Sequence, residues 1–292
     1  MKKKRVQLFD VIVFIISLIM VIVVLYPLIL VLSNSISKPA YVSTGQVLLF
    51  PKGLTLDGYQ AVFKNKDIML GYGNTIFYTV TGVLATLVVT LPAGYAFTKK
   101  ELPGNGILMK LFMFTMYFGG GLVPTFLVVN DIGLYNTRAI IILIGVFSVY
   151  NCIICRSFFN AIPSELEEAA EMDGSGPIRT FFKIVLPLSK ALIGVITLWS
   201  MVGHWNAYFE AMIYLKDKDK QPLQLVLRRI LILAQQAAQG GEDMGDYAMT
   251  LMEREALLRY SIIVVSSLPL LIVYPFLQKY FDKGVLIGSV KG

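Results

Sequence analysis

The chain has 292 residues, of which 56% are hydrophobic and only 15% charged, with a mean hydropathy of +0.68. Ordinary soluble domains carry about 25% charged and about 45–50% apolar residues, so this surplus of apolar side chains excludes a soluble enzyme, a disordered tail and a disulfide scaffold. The net charge of +7 does not call for nucleic acid, because the basic residues flank apolar runs and hold them in a bilayer.

A membrane span needs about 20 apolar residues to cross about 30 Å of hydrocarbon. Six segments qualify, at 11–32, 73–98, 107–129, 138–158, 189–214 and 260–280. The predicted fold class is therefore an all-α polytopic membrane protein in which 1–292 is one transmembrane domain. The first span follows Met1-Lys2-Lys3-Lys4-Arg5, but its apolar run is too long for a signal peptide and lacks a small-x-small cleavage pattern, so it should stay as an anchor. Lys99 and Lys100 follow the second.

The third span is interrupted by Gly119-Gly120-Gly121-Leu122-Val123-Pro124. Such breaks are tolerated where protein or a water-filled cavity satisfies the freed backbone groups. Gly120, Gly121 and Pro124 are thus candidates for a solute pathway, with close helix packing by small residues as the alternative. Cys152 and Cys155 in the fourth span read as two small buried side chains and not as a redox or zinc pair.

His204 and Glu210, both in the fifth span, are the only ionisable residues clearly inside the apolar segments. An ion-coupled carrier would place more acids or histidines there. Around them stand Trp199, Trp205, Asn206 and Tyr208. Aromatic rings stack on the C–H faces of sugars while amides and carboxylates bond their hydroxyls, so the mixture suits a glycan path. Trp and Tyr also mark membrane interfaces, and a single histidine is as readily a packed one. Leu223 to Leu233 is apolar except for Gln224 and Arg228-Arg229; it is too short to span and reads as an interfacial or protein-packed helix. Lysines and arginines near the span ends favour a cytoplasmic N- and C-terminus, with outer connections at 33–72 and 215–259.

Between spans four and five lies 163–188. Ser164 and Glu167 have capping-box spacing, acids fill the first turns, and Gly174 can end this short helix in the left-handed region. Gly176 or Ser175 can cap a second helix whose first turn holds Pro177. Ile178, Phe181, Phe182, Val185 and Leu186 form an apolar stripe at helical spacing. A rigid, charge-rimmed helix pair of this kind suits a groove on a soluble partner. The alternative, a hairpin lying on the inner membrane surface, is disfavoured by its acids.

Glu168-Ala169-Ala170, three residues, Gly174 with Asp173 before it, nine residues, then Ile184-x-Leu186-Pro187 resembles the EAA loop of ABC-importer membrane subunits. The six spans resemble carbohydrate-importer permeases of the maltose type. Trp205-Asn206-Ala207-Tyr208-Phe209 and the tail from Lys283-Gly284 to Lys291-Gly292 continue the likeness. Pro222-Leu223-Gln224-Leu225 and the basic helix after it look closest to the subgroup handling complex oligosaccharides. The resemblance implies a coupling-helix hairpin, with Glu168, Ala169, Ala170, Asp173, Gly174, Ile184, Leu186 and Pro187 as coupling residues. It implies four kinds of partner: a second homologous permease, two copies of a cytoplasmic ATPase, an extracellular solute-binding lipoprotein and an oligosaccharide. ATP and magnesium would belong to the ATPase, since this chain has no phosphate-binding loop and is expected to bind no cofactor, metal or nucleic acid. The implied location is the bacterial cytoplasmic membrane. A non-sugar cargo (peptide, amino acid or polyamine) and a membrane scaffold or sensor are the competing readings.

Overall fold

Long apolar runs form long helices where nothing interrupts them, and shorter broken ones where glycine or a capping residue intervenes. In the computed structural model, which describes residues 8–239, 258–276 and 278, the described residues are predominantly helical, with no strand and one isolated antiparallel bridge between Ser37 and Leu54. The Lys2–Arg5 cluster, residues 240–257 of the second outer connection, the end of the sixth predicted span and the C-terminal tail lie outside the described residues. The chain divides into two compact units, residues 1–69 with 227–269 and residues 70–226 with 270–292.

In the first unit, α1 (Leu8–Ser35) has no buried residue in its apolar stretch, as expected of a rod facing lipid. Burial begins only at Ser33, Asn34 and Ser35. There the Ser35 hydroxyl shares a 2.8 Å hydrogen bond with Tyr59, and Ser261 donates to the Ser35 carbonyl at 3.3 Å. Two short helices follow, α2 (Pro39–Ser43) and α3 (Asp57–Lys64). Val42 and Val47 pack with Tyr260, which belongs to the last described helix, residues 258–276.

Helix α4 (Lys66–Ala96) starts seven residues before the predicted second span. The Asn65 carboxamide explains the extension: its Oδ1 accepts from the Asp67 and Ile68 amides at 3.0 and 3.3 Å, an N-cap that lets the helix begin outside the apolar run. The predicted third span is two helices, α5 (Asn105–Tyr117) and α6 (Leu122–Asp131), bent by 115° across Phe118–Gly121. Gly121, at φ +85°, makes the turn that the glycine run foreshadows. The predicted fourth span is likewise α7 (Arg138–Leu143) and α8 (Val149–Asn160), the latter capped by Ser148. Cys152 and Cys155 are free and buried on α8. Gly94 of α4 sits so close that a Cβ there would meet the Cys155 Cβ at 2.4 Å; the pair is a packing contact.

Next come α9 (Ser164–Met172), α10 (Pro177–Thr180), a π-helical turn (Phe181–Val185) and α11 (Leu186–Leu188). Residues 177–188 meet α12 (Lys190–Asn206) at 82°. The fifth predicted span is α12 followed, after a break at Ala207–Tyr208, by α13 (Phe209–Tyr214). Among the described residues, three helices can each cross a membrane by length and composition, and up to five passages result if each bent pair counts once.

The segment after α13 is pinned by polar side chains. Asn136, at φ 58°, accepts from the Lys216 and Asp217 amides and donates to the Asp217 carboxylate at 2.8 Å. Asn74 donates to the Asp219 and Gln221 carbonyls, and Tyr78 to that of Lys220. Hydrogen bonds from Lys220 and Asn136 hold the Asp217 carboxyl below its ordinary pKa. Helix α14 (Leu223–Gln239) runs past the predicted end at Leu233. Leu223 and Val226 are buried, and the Leu223 amide donates to Thr75 at 2.8 Å. Arg229 pairs with Asp67 at 3.3 Å. The start of the helix is thus packed against protein.

Candidate functional site

Two features stand out, a rigid hairpin at α9–α10 and a cavity beside α12. The hairpin is built by its punctuation. At the end of α9 the Gly174 amide donates to the Glu171 carbonyl at 2.9 Å and the Ser175 amide to that of Ala170 at 2.8 Å. These two bonds, with Gly174 at φ +77°, form a Schellman motif. Gly176 then caps α10 with Pro177 in its first turn. The buried Thr180 hydroxyl donates to Ser175 at 3.1 Å, tying the second helix to the turn.

The start of α9 departs from the capping-box expectation. Pro163 takes the N-cap place and no side chain caps the helix. Glu167 instead forms an ion pair with Lys99, just beyond α4. The Lys99 ammonium also lies 4.7 Å from the centre of the Tyr95 ring. A charge-assisted contact outcompetes a neutral amide for the carboxylate. Burial pulls the Lys99 pKa down, but Glu167 and Tyr95 outweigh it and hold the ammonium above its ordinary value.

The apolar stripe also divides. Phe181 and Val185 are buried in a core with Leu91, Tyr95, Cys155, Phe159, Leu192 and Ile196. Ile178 (76% exposed) and Phe182 (60%) face outward. The π-turn, in which the Leu186 amide donates to the Phe181 carbonyl, shifts the register so that positions spaced for an α-helix part company. Ile178 and Phe182 line an apolar cavity of about 600 Å³ with Pro92, Tyr95, Ala96 and Lys99.

Of the predicted coupling residues, Glu168, Ala169, Asp173, Gly174 and Pro187 are exposed, Ile184 and Leu186 half-buried and Ala170 buried. Leu186 packs against the Phe181 core. Leu166 and Met172 (88% exposed) add apolar surface among the carboxylates. Lys99 and Glu167 carry no local motif linking them across 68 residues of sequence, which is why sequence reading missed the pair.

The cavity, about 460 Å³, is lined by Trp199, His204, Asn206, Tyr208 and Glu210 among the fifth span's candidate residues. It adds Thr86, Asn151 and Ser200. The Ser200 hydroxyl donates to Thr86 at 3.2 Å, and Trp199 lies 5.9 Å from Tyr150, ring centre to ring centre. The imidazole of His204 rests on Gly82, where a Cβ would meet Nε2 at 2.4 Å. Trp205 does not line the cavity. It is buried and meets Tyr72 edge-on at 5.9 Å, a packing role. Gly120, Gly121 and Pro124 are exposed at the α5–α6 bend and are not brought to the cavity. A signal for Thr86 was present: buried Thr75, Thr79, Thr86 and Thr90 fall on one face of α4 at helical spacing. Among the described residues no cluster of histidine, cysteine or carboxylate side chains is suited to a metal.

Residues 1–287 match the family of binding-protein-dependent transport system inner membrane components. The chain is 39% identical over 270 residues to Protein LplC of Bacillus subtilis (strain 168), covering 92% of this chain and 90% of that protein. It is 38% identical over 286 residues to the polygalacturonan/rhamnogalacturonan transport system permease protein YtcP of the same organism, covering 98% and 99%. A crystal structure of a bacterial ABC transporter involved in the import of the acidic polysaccharide alginate superposes with a TM-score of 0.84 at 33% identity, covering 96% of this chain and all of that one.

A broken-helix membrane chain of this kind, matched along nearly its whole length, belongs to the binding-protein-dependent transport system inner membrane components. It is a permease subunit of an ABC importer and not an enzyme, since ATP hydrolysis in this family is done by separate ATPase subunits. Family members work with a partner permease, an ATPase and a substrate-binding protein.

Proposed function

We propose that this chain forms half of the translocation pathway for an oligosaccharide and that the α9–α10 hairpin couples that pathway to ATP hydrolysis. The observation that carries the cargo reading is the α12 cavity, where rings (Trp199, Tyr208) stand beside hydroxyl, amide and carboxylate groups (Thr86, Ser200, Asn151, Asn206, Glu210). The names of the relatives, polygalacturonan/rhamnogalacturonan for one and alginate for the other, support a sugar over a peptide, amino acid or polyamine.

In this reading 1–292 is one transmembrane domain that crosses six times, through α1, α4, the α5–α6 pair, the α7–α8 pair, α12 and the 258–276 helix. The hairpin and both termini face the cytoplasm of a bacterial cell, and the outer connections meet a solute-binding lipoprotein. Glu168, Ala169, Asp173 and Gly174, on the exposed side of the hairpin, seat in a cleft of one of two ATPase subunits, which hold ATP and magnesium. Ala170, Ile184, Leu186 and Pro187 keep the hairpin's shape. A second homologous permease supplies the other half of the path, and Gly120, Gly121 and Pro124 shape its course away from the cavity.

The test is reconstitution of the four-part assembly in proteoliposomes with measurement of ATP hydrolysis and oligosaccharide uptake. Trp199→Ala should weaken uptake while leaving assembly intact. Undiminished uptake by a well-assembled variant would remove the cavity from the pathway.

A further inference from the structure

The connection after α1 carries apolar side chains that none of the described residues of the first unit covers, and its backbone is stitched to the end of α1. The Ser33 hydroxyl donates to the Leu49 carbonyl at 2.6 Å, and Asn34 Nδ2 donates to the Leu30 carbonyl at 2.8 Å. The Lys52 amide donates to the Ser37 hydroxyl at 3.0 Å, while the Lys38 amide donates to the Lys52 carbonyl and the Thr55 amide to that of Ile36. Beside these bonds runs the Ser37–Leu54 bridge. Gly53, at φ +62°, lies under the Lys38 stem, where a Cβ would stand 2.8 Å from Cδ. The loop is therefore held in one shape. That shape buries Val47 and exposes Leu48, Leu49, Phe50 (81%), Leu54 (72%) and Leu56.

The place of this loop along α1 fixes its surroundings. From Val11 to Leu32 the helix is almost entirely apolar, which at 1.5 Å per residue spans ~33 Å, about the thickness of the hydrocarbon layer. The polar Ser33-Asn34-Ser35 turn then marks the boundary. Leu49, bonded to Ser33, stands at that depth. The lipid-facing surface of α1 thus continues into the exposed leucines and Phe50. Lys38 and Lys52, both exposed, flank the apolar tip as cations whose stems can lie along it while their ammonium groups reach headgroup phosphates.

We infer that the loop spanning residues 47–56 is an interfacial membrane anchor, its leucines and Phe50 seated in the acyl-carbonyl layer of the leaflet where α1 ends, and Lys38 and Lys52 on lipid phosphates. The inference rests on α1 crossing the membrane and not on the cargo. It gives the first unit a fixed depth and tilt in the bilayer.

The test uses the complete transporter in phospholipid nanodiscs, with an environment-sensitive fluorophore on Phe50→Cys or, separately, Leu54→Cys. Both positions are exposed, so neither change disturbs packing, and the two native thiols are buried. Ile22→Cys, mid-way along α1, gives the deep reference. The expected result is blue-shifted emission at both loop positions, loss of fluorescence with lipids spin-labelled near the headgroup, and little loss with aqueous iodide, whereas Ile22→Cys responds to chain-end labels. Iodide quenching equal to that of free dye, with no response to spin-labelled lipid, overturns the inference. So does shielding that develops only when purified solute-binding protein is added, which would make the loop a protein-docking surface.

Discussion

Replacing Lys99 by methionine should loosen the hairpin from the end of α4 without unfolding the protein. The ion pair with Glu167 is the polar tie between α9 and the residues after α4, and its side chains keep only 27% and 22% of their surfaces exposed. A fully exposed pair contributes about 0–1 kcal/mol, and rupture of a fully buried one costs about 3–5 kcal/mol. This pair lies between, so after allowance for solvent screening the loss is ~1–2 kcal/mol. That corresponds to about a 5–30-fold shift between held and released hairpin. Methionine keeps the apolar stem over Tyr95, so packing is spared. In proteoliposomes K99M should retain basal ATP hydrolysis but move less solute per ATP, and α9 amides should exchange faster with deuterium. The charge-swapped pair K99E/E167K should recover much of the coupling. Because the folded Lys99 pKa is raised, the stabilisation is complete below the unfolded value of about 10.4 and is lost only as pH rises through the higher folded value. The lysine's titration should therefore leave coupling level from about pH 6 to 9. Unchanged α9 exchange and full coupling in K99M would refute the reasoning.

Gly174→Val should cost ~1–2 kcal/mol through left-handed backbone strain and lower solute-stimulated hydrolysis, whereas Gly174→Asn should be milder; no neighbour lies within 4 Å of a Cβ there. Gly82→Ala should push His204 from its seat and weaken uptake, with His204→Ala as the restoring second change. Gly94→Ala forces a Cβ onto Cys155 and should destabilise by about 1–3 kcal/mol in a thermal unfolding scan in detergent. Asn136→Ala strips the side-chain hydrogen bonds that fix Lys216 and Asp217 and should raise proteolytic cleavage in that segment. The depressed Asp217 pKa stabilises above the unfolded value of about 3.9 and is lost as pH falls through the folded one, so acid should reproduce part of this effect.

What the sequence made legible was local. Gly174, Gly176 and Pro177 mark the hairpin because a turn needs its special backbone angles wherever the chain goes next, and the glycines before Leu122 announce the α5–α6 bend for the same reason. The cavity was half legible: the residues on α12 and α13 lie close in sequence, but Thr86 and Asn151 arrive only when α4 and α8 pack beside them. Trp205 looked like Trp199 in sequence, and packing alone separates the buried ring against Tyr72 from the one at the cavity. The π-turn has no signature in the apolar stripe, so nothing in the sequence separates the exposed Ile178 and Phe182 from the buried Phe181 and Val185. Capping-box spacing points Glu167 at its own helix, because nothing local in the sequence reveals its partner Lys99, 68 residues away.

The most direct test of the coupling claim is a single-site cross-link from the hairpin to the ATPase. Met172, 88% exposed, tolerates Met172→Cys, and the buried native thiols keep the background low. With a cysteine in the facing cleft of the ATPase, oxidation of the whole transporter should yield a permease–ATPase adduct that responds to ATP, and an impermeant thiol reagent outside intact cells should not label the site. Labelling from outside, or no adduct at any nucleotide state in an assembled complex, would contradict the account.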